Sequence, residues 1–284
     1  MTGKLYLYRD IVTANVSRER LRTAVDKDVV TRLSRGVYTS GDQRPSRLRA
    51  LFVRLPEGIV LGHESAARVY GFGGPGPIDD PVHVIVPAGT VRPRIRGVAC
   101  HEAVLPVAAP ILIDGIPCAP PARCAVDLAR HATRFGGIAV LDAALRSGTC
   151  TADDLADEVL LHDGLRGVCR VRELVRLADG RAECAQESHL RLLIIDAGLQ
   201  APEPQVWVHD SSGRPVYRID LAYRERRVGL EYDGRSHLTP DRLTADRSRM
   251  NWLGNRGWTM RHFTARDLYQ HPAITAAEVR AALE

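Results

Sequence analysis

Two runs decide how the last third of the chain folds: Tyr217-Arg218-Ile219-Asp220-Leu221-Ala222-Tyr223, and, past a short connection, Arg227-Val228-Gly229-Leu230-Glu231-Tyr232-Asp233. Both alternate apolar with polar residues, the period-two pattern of half-buried strands. On the first, the alternation puts Ile219, Leu221 and Tyr223 on one face and Arg218, Asp220 and Ala222 on the other. On the second, Val228, Leu230 and Tyr232 share a face, and Glu231 and Asp233 project from the opposite one. With Glu225-Arg226 as a tight hairpin loop, Asp220 pairs across with Glu231. Directly opposed residues have Cβ atoms only ~4.5 to 5.5 Å apart, so three carboxylates converge on one patch.

Such like charges need compensation. A hard divalent cation supplies it, because magnesium takes carboxylate, water and phosphate oxygens and lowers the pKa of a bound water. Pairing with Arg218, Arg227, Arg235 or Arg261 is the other solution, the ordinary one for an exposed charged face. The parity of the two strands and the helices flanking them favour the metal.

Working outward, Cys184 to Leu193 reads as a helix stopped by Gly198, and Pro202-Glu203-Pro204 leads into a strand, Val206-Trp207-Val208, so that three strands form an antiparallel meander. Gly234-Arg235-Ser236-His237 is a turn beside the acids. Thr239 and Pro240 open a helix that runs to about Arg256. It carries Arg242, Asp246 and Arg249 on one side and Leu243, Met250 and Leu253 as an apolar stripe. Trp258 to Phe263 is a last strand, and Thr264 caps the closing helix. Helices and strands mixed around one sheet describe an α/β sandwich.

The rest of the chain is organised differently. Residues 1–50 hold 11 Lys or Arg against 5 Asp or Glu, while the two later segments are near neutral, so the net charge of +5 sits at the start. Leu5 to Ile11 and the stretch from Leu21 to Val29 read as short helices, with Ser17 as an N-cap. A basic β-rich pair follows, turning at Ser34-Arg35-Gly36. Helices followed by a short hairpin describe a winged helix-turn-helix, with Arg18 and Arg20 on the groove-facing helix and Arg32 and Arg35 on the wing. Residues 51–181 read as a mostly helical connector, helical from Pro121 to about Leu177. Gly71 to Pro77 is a loop before the strand Val82 to Val86, and no phosphate-binding motif follows it. His63 and His101 are lone structural histidines in this reading.

With 284 residues at 45% hydrophobic and 26% charged, the chain excludes collagen-like, wholly disordered and low-complexity classes. No apolar run is long enough for a membrane span or a signal peptide, so the expected location is cytoplasmic, in association with the nucleoid where DNA is bound, with no membrane partner. Six scattered cysteines without a Cys-x-x-Cys pair point to reduced thiols.

Several of these residues form an ordered series. Glu187, Ser188 and Arg191 come first, then Arg218 to Ala222, Leu230 to Gly234 with His237, Asp246-Arg247 with Arg249, and Gly257-Trp258 with Arg261. Over residues 183–284 the series resembles the very-short-patch-repair endonucleases of the PD-(D/E)XK nuclease superfamily. The resemblance implies a restriction-endonuclease-like fold and magnesium-dependent DNA cleavage, with manganese as a substitute. Asp220 and Glu231 would ligate the metal, and Glu187, Asp233 and His237 would complete the catalytic set. Arg235, Arg249 and Arg261 would contact DNA. One departure stands out: the superfamily places a Lys two residues after the Glu, where this chain has Asp233. Arg32 to Tyr38, with Gly62 to Ala67 and Asp127 to Arg130, is similar to AbiEi-type antitoxins, which implies autoregulatory DNA binding and a cognate toxin or a repair or defence partner.

The sequence thus supports an α/β (α+β) multidomain protein with three modules: a winged helix at 1–50, an antitoxin-like connector at 51–181 and a nuclease-like sandwich at 182–284. Its leading expectation is a DNA endonuclease. The rival is a non-enzymatic antitoxin or transcriptional repressor with an inactive nuclease-like domain, and a protein-interaction scaffold is a third alternative.

Overall fold

A computed structural model describes residues 4–34, 36–40, 47–74, 81–234 and 240–284. The chain is a mixed α/β protein that packs as two compact units, Met1–Ala66 with Pro75–Pro120, and Ala67–Gly74 with Pro121–Glu284.

The first unit begins with β1 (Lys4–Leu7), α1 (Tyr8–Thr13), α2 (Arg18–Asp26), β2 (Thr31–Ser34) and β3 (Val37–Ser40). The strands form an antiparallel sheet in the order β1-β3-β2. Leu5 to Leu7 is therefore a strand rather than the start of a helix: its residues pair with Val37 to Thr39, a partner 30 residues away that local periodicity does not reveal. Ser17 caps α2 by accepting a hydrogen bond from the Arg20 amide at 3.2 Å, and Leu21 is the buried anchor of that helix. Two strands folded back behind a helix pair make the winged arrangement. Arg35 lies outside the described residues.

After α3 (Arg47–Phe52) come β4 (Val60–Leu61), α4 (His63–Val69), β5 (Val82–Pro87), β6 (Val98–Ala103), β7 (Ile111–Ile113) and β8 (Ile116–Cys118). These five strands form one mixed sheet, in the order β6-β5-β4-β8-β7. The connector is thus predominantly helical only in its second half, α4 being the helix of the first. Its first half is built from strands of two to six residues, too short to show a period. Asp114 and Gly115, both at positive φ (50° and 75°), close the β7–β8 hairpin, as the Asp-Gly pair favours.

The second unit starts with four helices, α5 (Pro121–His131), α6 (Arg134–Arg146), α7 (Ala152–Leu161) and α8 (Val168–Leu177). Then α9 (Ala185–Asp196), β9 (Glu203–His209), β10 (Pro215–Tyr223), β11 (Val228–Tyr232), α10 (Pro240–Gly254), β12 (Thr259–Phe263), α11 (Ala265–Tyr269) and α12 (Pro272–Leu283) build a sandwich. Strand order is β12-β11-β10-β9, antiparallel except for the β11–β12 pair. One face packs Leu221, Tyr223, Val228, Leu230 and Phe263 against Leu190 and Ile194 of α9, Leu268 of α11 and Val279 of α12. The other packs Val206, Val208, Ile219 and Ala222 against Leu253 and Met250 of α10. Each fully buried aliphatic side chain contributes roughly 1.5 to 3 kcal/mol. Arg191 is absorbed by structure: its guanidinium donates to the buried Asp142 carboxylate (2.8 Å) and to the Leu177 carbonyl (2.6 Å), tying α9 to α6.

The alternation along β10 breaks at Asp220. Ile219 lies with Ala222 in the α10-facing core, whereas Leu221 and Tyr223 face α9, so Ile219 and Leu221 do not share a face. On the neighbouring strand Gln205 stands opposite this break with φ +56°, a left-handed residue that interrupts the pleat. Gly229 gives Ile219 the room it needs: a Cβ there would sit 2.5 Å from Met260 Sδ and 3.1 Å from Ile219 Cδ1. Gly229→Ala is therefore expected to destabilise the protein by about 1 to 3 kcal/mol, read as a lower midpoint in urea. An unchanged midpoint would mean that this core is looser than described.

Candidate functional site

Two hollows carry the chemistry, one in each unit.

In the first unit, Arg18, Arg22 and Arg32 converge with Tyr8, Leu21, Val25 and Tyr38 around a hollow of about 390 Å³ between α2 and the β2–β3 hairpin. No carboxylate is among these lining residues. The Arg18 Nε donates to the Tyr8 hydroxyl at 2.6 Å, which fixes that guanidinium at the rim and raises its pKa. Arg18 and Arg32 are thus brought together, whereas Arg20 is exposed on α2 outside the hollow. Arg22 was not singled out from the sequence; its place one helical turn from Arg18 was the available signal.

In the second unit the hairpin has the register that its loop length dictates. Tyr223 pairs with Val228, Ala222 with Gly229 and Leu221 with Leu230. There the ladder stops, although β10 and β11 both continue. Asp220 is the next residue, and its carboxylate takes over as acceptor for the Tyr232 amide at 3.2 Å. Asp233, by contrast, hydrogen-bonds through its amide to the Phe263 carbonyl of β12 (2.8 Å). The two strands fork, and the fork opens into a cleft of about 570 Å³ lined by Trp207, Val216, Tyr217, Arg218, Asp220, Glu231, Tyr232, Asp233 and Arg249.

Asp220 and Glu231 both line that cleft. Burial pushes the Asp220 carboxyl up to about 6, and the nearby charge of Glu187 adds to the effect. Burial likewise pushes Glu231 up to about 7; Arg249 and His262 oppose the shift, and Asp220 and Asp233 add to it. The Arg249 guanidinium forms an ion pair with Glu231 Oε1 and also donates to the Arg218 carbonyl at 2.8 Å. Glu187 is buried on α9, where it accepts from the Glu183 amide (2.9 Å) and the Gln205 side chain (2.8 Å), so its contact with the pair is electrostatic. Asp233 is exposed at the rim, 3.4 Å from His262 Nδ1.

Arg261 does not line the cleft; its guanidinium donates to the Met260 carbonyl. Arg235 and His237 lie outside the described residues. His262, unforeseen from the sequence, comes to the acids because β12 runs parallel to β11 and pairs Glu231 with His262. Only the strand order reveals that neighbour. Among the described residues, no group of three or more His, Cys, Asp or Glu is arranged to hold a metal ion.

His63 and His101 are not lone residues. Their ring centroids lie 3.9 Å apart at a 30° tilt, and His83 Nδ1 lies 2.8 Å from His101 Nε2 and 3.1 Å from Glu64 Oε2. Among the described residues no helix is long and apolar enough to cross a membrane.

Comparison with known proteins places the centre of the chain and the chain as a whole in turn. Residues 59–177, which hold the five-stranded sheet and α5 to α8, match the AbiEi antitoxin C-terminal domain, so the centre of the chain is antitoxin-like. The uncharacterized proteins Rv2248 and MT2308, from two strains of Mycobacterium tuberculosis, are each 34% identical over 268 residues, spanning 93% of this chain and 96% of theirs. The chain belongs to the family of these two mycobacterial proteins. The crystal structure of the Mycobacterium tuberculosis protein RV2827C aligns over 61% of this chain and 71% of its own, with 17% identity and a TM-score of 0.43. The likeness of residues 183–284 to repair endonucleases rests on the sequence series alone.

Proposed function

We propose that the protein is a DNA-binding regulator of the AbiEi antitoxin type. Residues 1–50 serve as its duplex-binding module, 51–181 as its antitoxin-like connector and 182–284 as a nuclease-like domain. The observation that carries this reading is the antitoxin domain at 59–177 following directly on a winged module whose arginines converge on one acid-free hollow. Guanidinium groups arranged in this way suit backbone phosphates, which position a protein on DNA. A cognate toxin is the partner this class implies. Duplex binding is tested by titrating labelled DNA with the full chain. Affinity should fall steeply as salt rises, and failure to bind any duplex at low salt would reject the reading.

A second reading is favoured by one specific observation, that Asp220 and Glu231 line one cleft and both have raised pKa values. These two residues would hold magnesium, or manganese in its place. The ion would supply a polarised phosphodiester and an acidified water. Arg249 would orient Glu231, and the His262 ring, 3.4 Å from Asp233, stands beside the position where the superfamily keeps its lysine. On this reading supercoiled plasmid is nicked only with the metal present, and Asp220→Ala abolishes nicking while the melting curve stays cooperative. Nicking that survives in Asp220→Ala would remove the site.

A further inference from the structure

The carboxylate cleft has an aromatic wall that neither core uses. Val206 and Val208 are buried in the core facing α10, but Trp207 between them is 43% exposed and belongs to neither core cluster. It stands on β9, the edge strand of the sheet. Edge strands are ordinarily protected by charge, proline or irregularity, and this one instead presents a large aromatic surface with a polar edge to solvent at the mouth of the cleft. The other tryptophans differ. Trp252 and Trp258 pack against the α10 core, and the Arg256 guanidinium sits 3.5 Å from the Trp252 ring centre.

Across the strand pair Arg218 is the partner of Trp207, and its guanidinium carbon lies 5.7 Å from the indole centre. Arg218 is also paired with Glu183 at 2.8 Å, which holds it beside the ring. Tyr217 and Arg249 form the adjoining wall, with the Arg249 guanidinium 5.7 Å from the phenol ring centre. The cleft, about 570 Å³, lies in the size range of small-ligand sites. An aromatic ring with guanidinium groups beside it at the mouth of a cleft is a combination that binds single-stranded nucleic acid, here with Arg218 over one face of the indole and with Asp220, Glu231 and Asp233 also in the lining. The base stacks on the ring, and the cations meet the phosphates beside it.

We propose that this cleft binds an unpaired base of single-stranded DNA, with Trp207 as the stacking platform and Arg218 and Arg249 facing the flanking phosphates. The site is separate from the duplex-binding hollow of the first unit and does not depend on cleavage. Its occupant is an extruded or already unpaired nucleotide, because a paired base presents no open face to the indole.

The test is fluorescence anisotropy of labelled oligo(dT), and separately of a duplex, titrated with the full chain in magnesium-free buffer. Trp207→Ala should weaken oligo(dT) binding by about tenfold or more, the usual effect of losing one stacked base, and leave duplex binding unchanged. Trp207→Phe, which keeps an aromatic face, should retain most of the affinity. Arg32→Ala should weaken duplex binding and spare oligo(dT), so the duplex reading and this one fail separately. Wild-type protein that does not bind oligo(dT), Trp207→Ala that binds it as wild type does, or Trp207→Phe that loses as much as Trp207→Ala, would each overturn the proposal.

Discussion

Replacing Arg18, Arg22 and Arg32 together by alanine is expected to weaken duplex DNA binding by about 100-fold or more, since each charge-assisted hydrogen bond to phosphate contributes roughly 1.5 to 3 kcal/mol. The three guanidinium groups line one hollow between α2 and the wing, so they act on one stretch of backbone rather than on scattered phosphates. The salt dependence should change as well. The slope of log affinity against log salt should fall by roughly three, one for each lost phosphate contact. All three replaced residues are exposed, so folding should be spared and the melting temperature should stay near that of wild type. Wild-type affinity and slope in the triple variant would place the DNA elsewhere.

The second large effect concerns stability. A buried carboxylic acid whose pKa in the folded state is raised binds its proton more tightly folded than unfolded. Its contribution is complete below the unfolded pKa and is lost as the pH rises through the folded value. For Asp220, raised from 3.8 to about 6, the window runs from about pH 4 to about pH 7. Above that window the buried charge costs roughly 3 kcal/mol. Asp220→Asn removes the charge and keeps an oxygen acceptor for the Tyr232 amide. The variant should therefore be more stable than wild type at pH 8, by roughly 2 to 3 kcal/mol, and the gain should vanish near pH 4. Comparing variant with wild type at each pH cancels the titrating groups that do not interact with Asp220; Glu231, whose shift Asp220 helps to raise, changes with it. A stability difference that does not change between pH 4 and pH 8 would show that Asp220 is not held in a charge-poor fork.

Much of this site was legible in the sequence, for definite reasons. The Glu225-Arg226 loop fixes the hairpin register as far as Leu221 and Leu230, which puts Asp220 and Glu231 at the start of the fork and on the lining of one cleft. The Ser17 cap and the Pro240 helix start are local signals, and they appear where the residues place them. What escaped depends on distant parts of the chain. The break in alternation at Asp220 follows from the left-handed Gln205 on the neighbouring strand, and glutamine gives no hint of positive φ. His262 reaches the acids only through a parallel pairing across α10. Strand β1 was read as helix because its partner β3 lies beyond any local window. In residues 60–118 the Asp114-Gly115 hairpin signal was present, but the flanking strands are only three residues each.

The same logic orders the two functional readings. The antitoxin-like centre and the arginine hollow concern binding, while the acid pair concerns chemistry that its Arg249 partner already partly neutralises. On the proposed regulator reading the target is the DNA upstream of its own coding sequence, which makes a footprint the most direct test. The full chain should protect a discrete segment of the DNA upstream of its own coding sequence, and the Arg18, Arg22 and Arg32 triple variant should not. Uniform cleavage across that region, at protein concentrations that saturate nonspecific binding, would contradict the account.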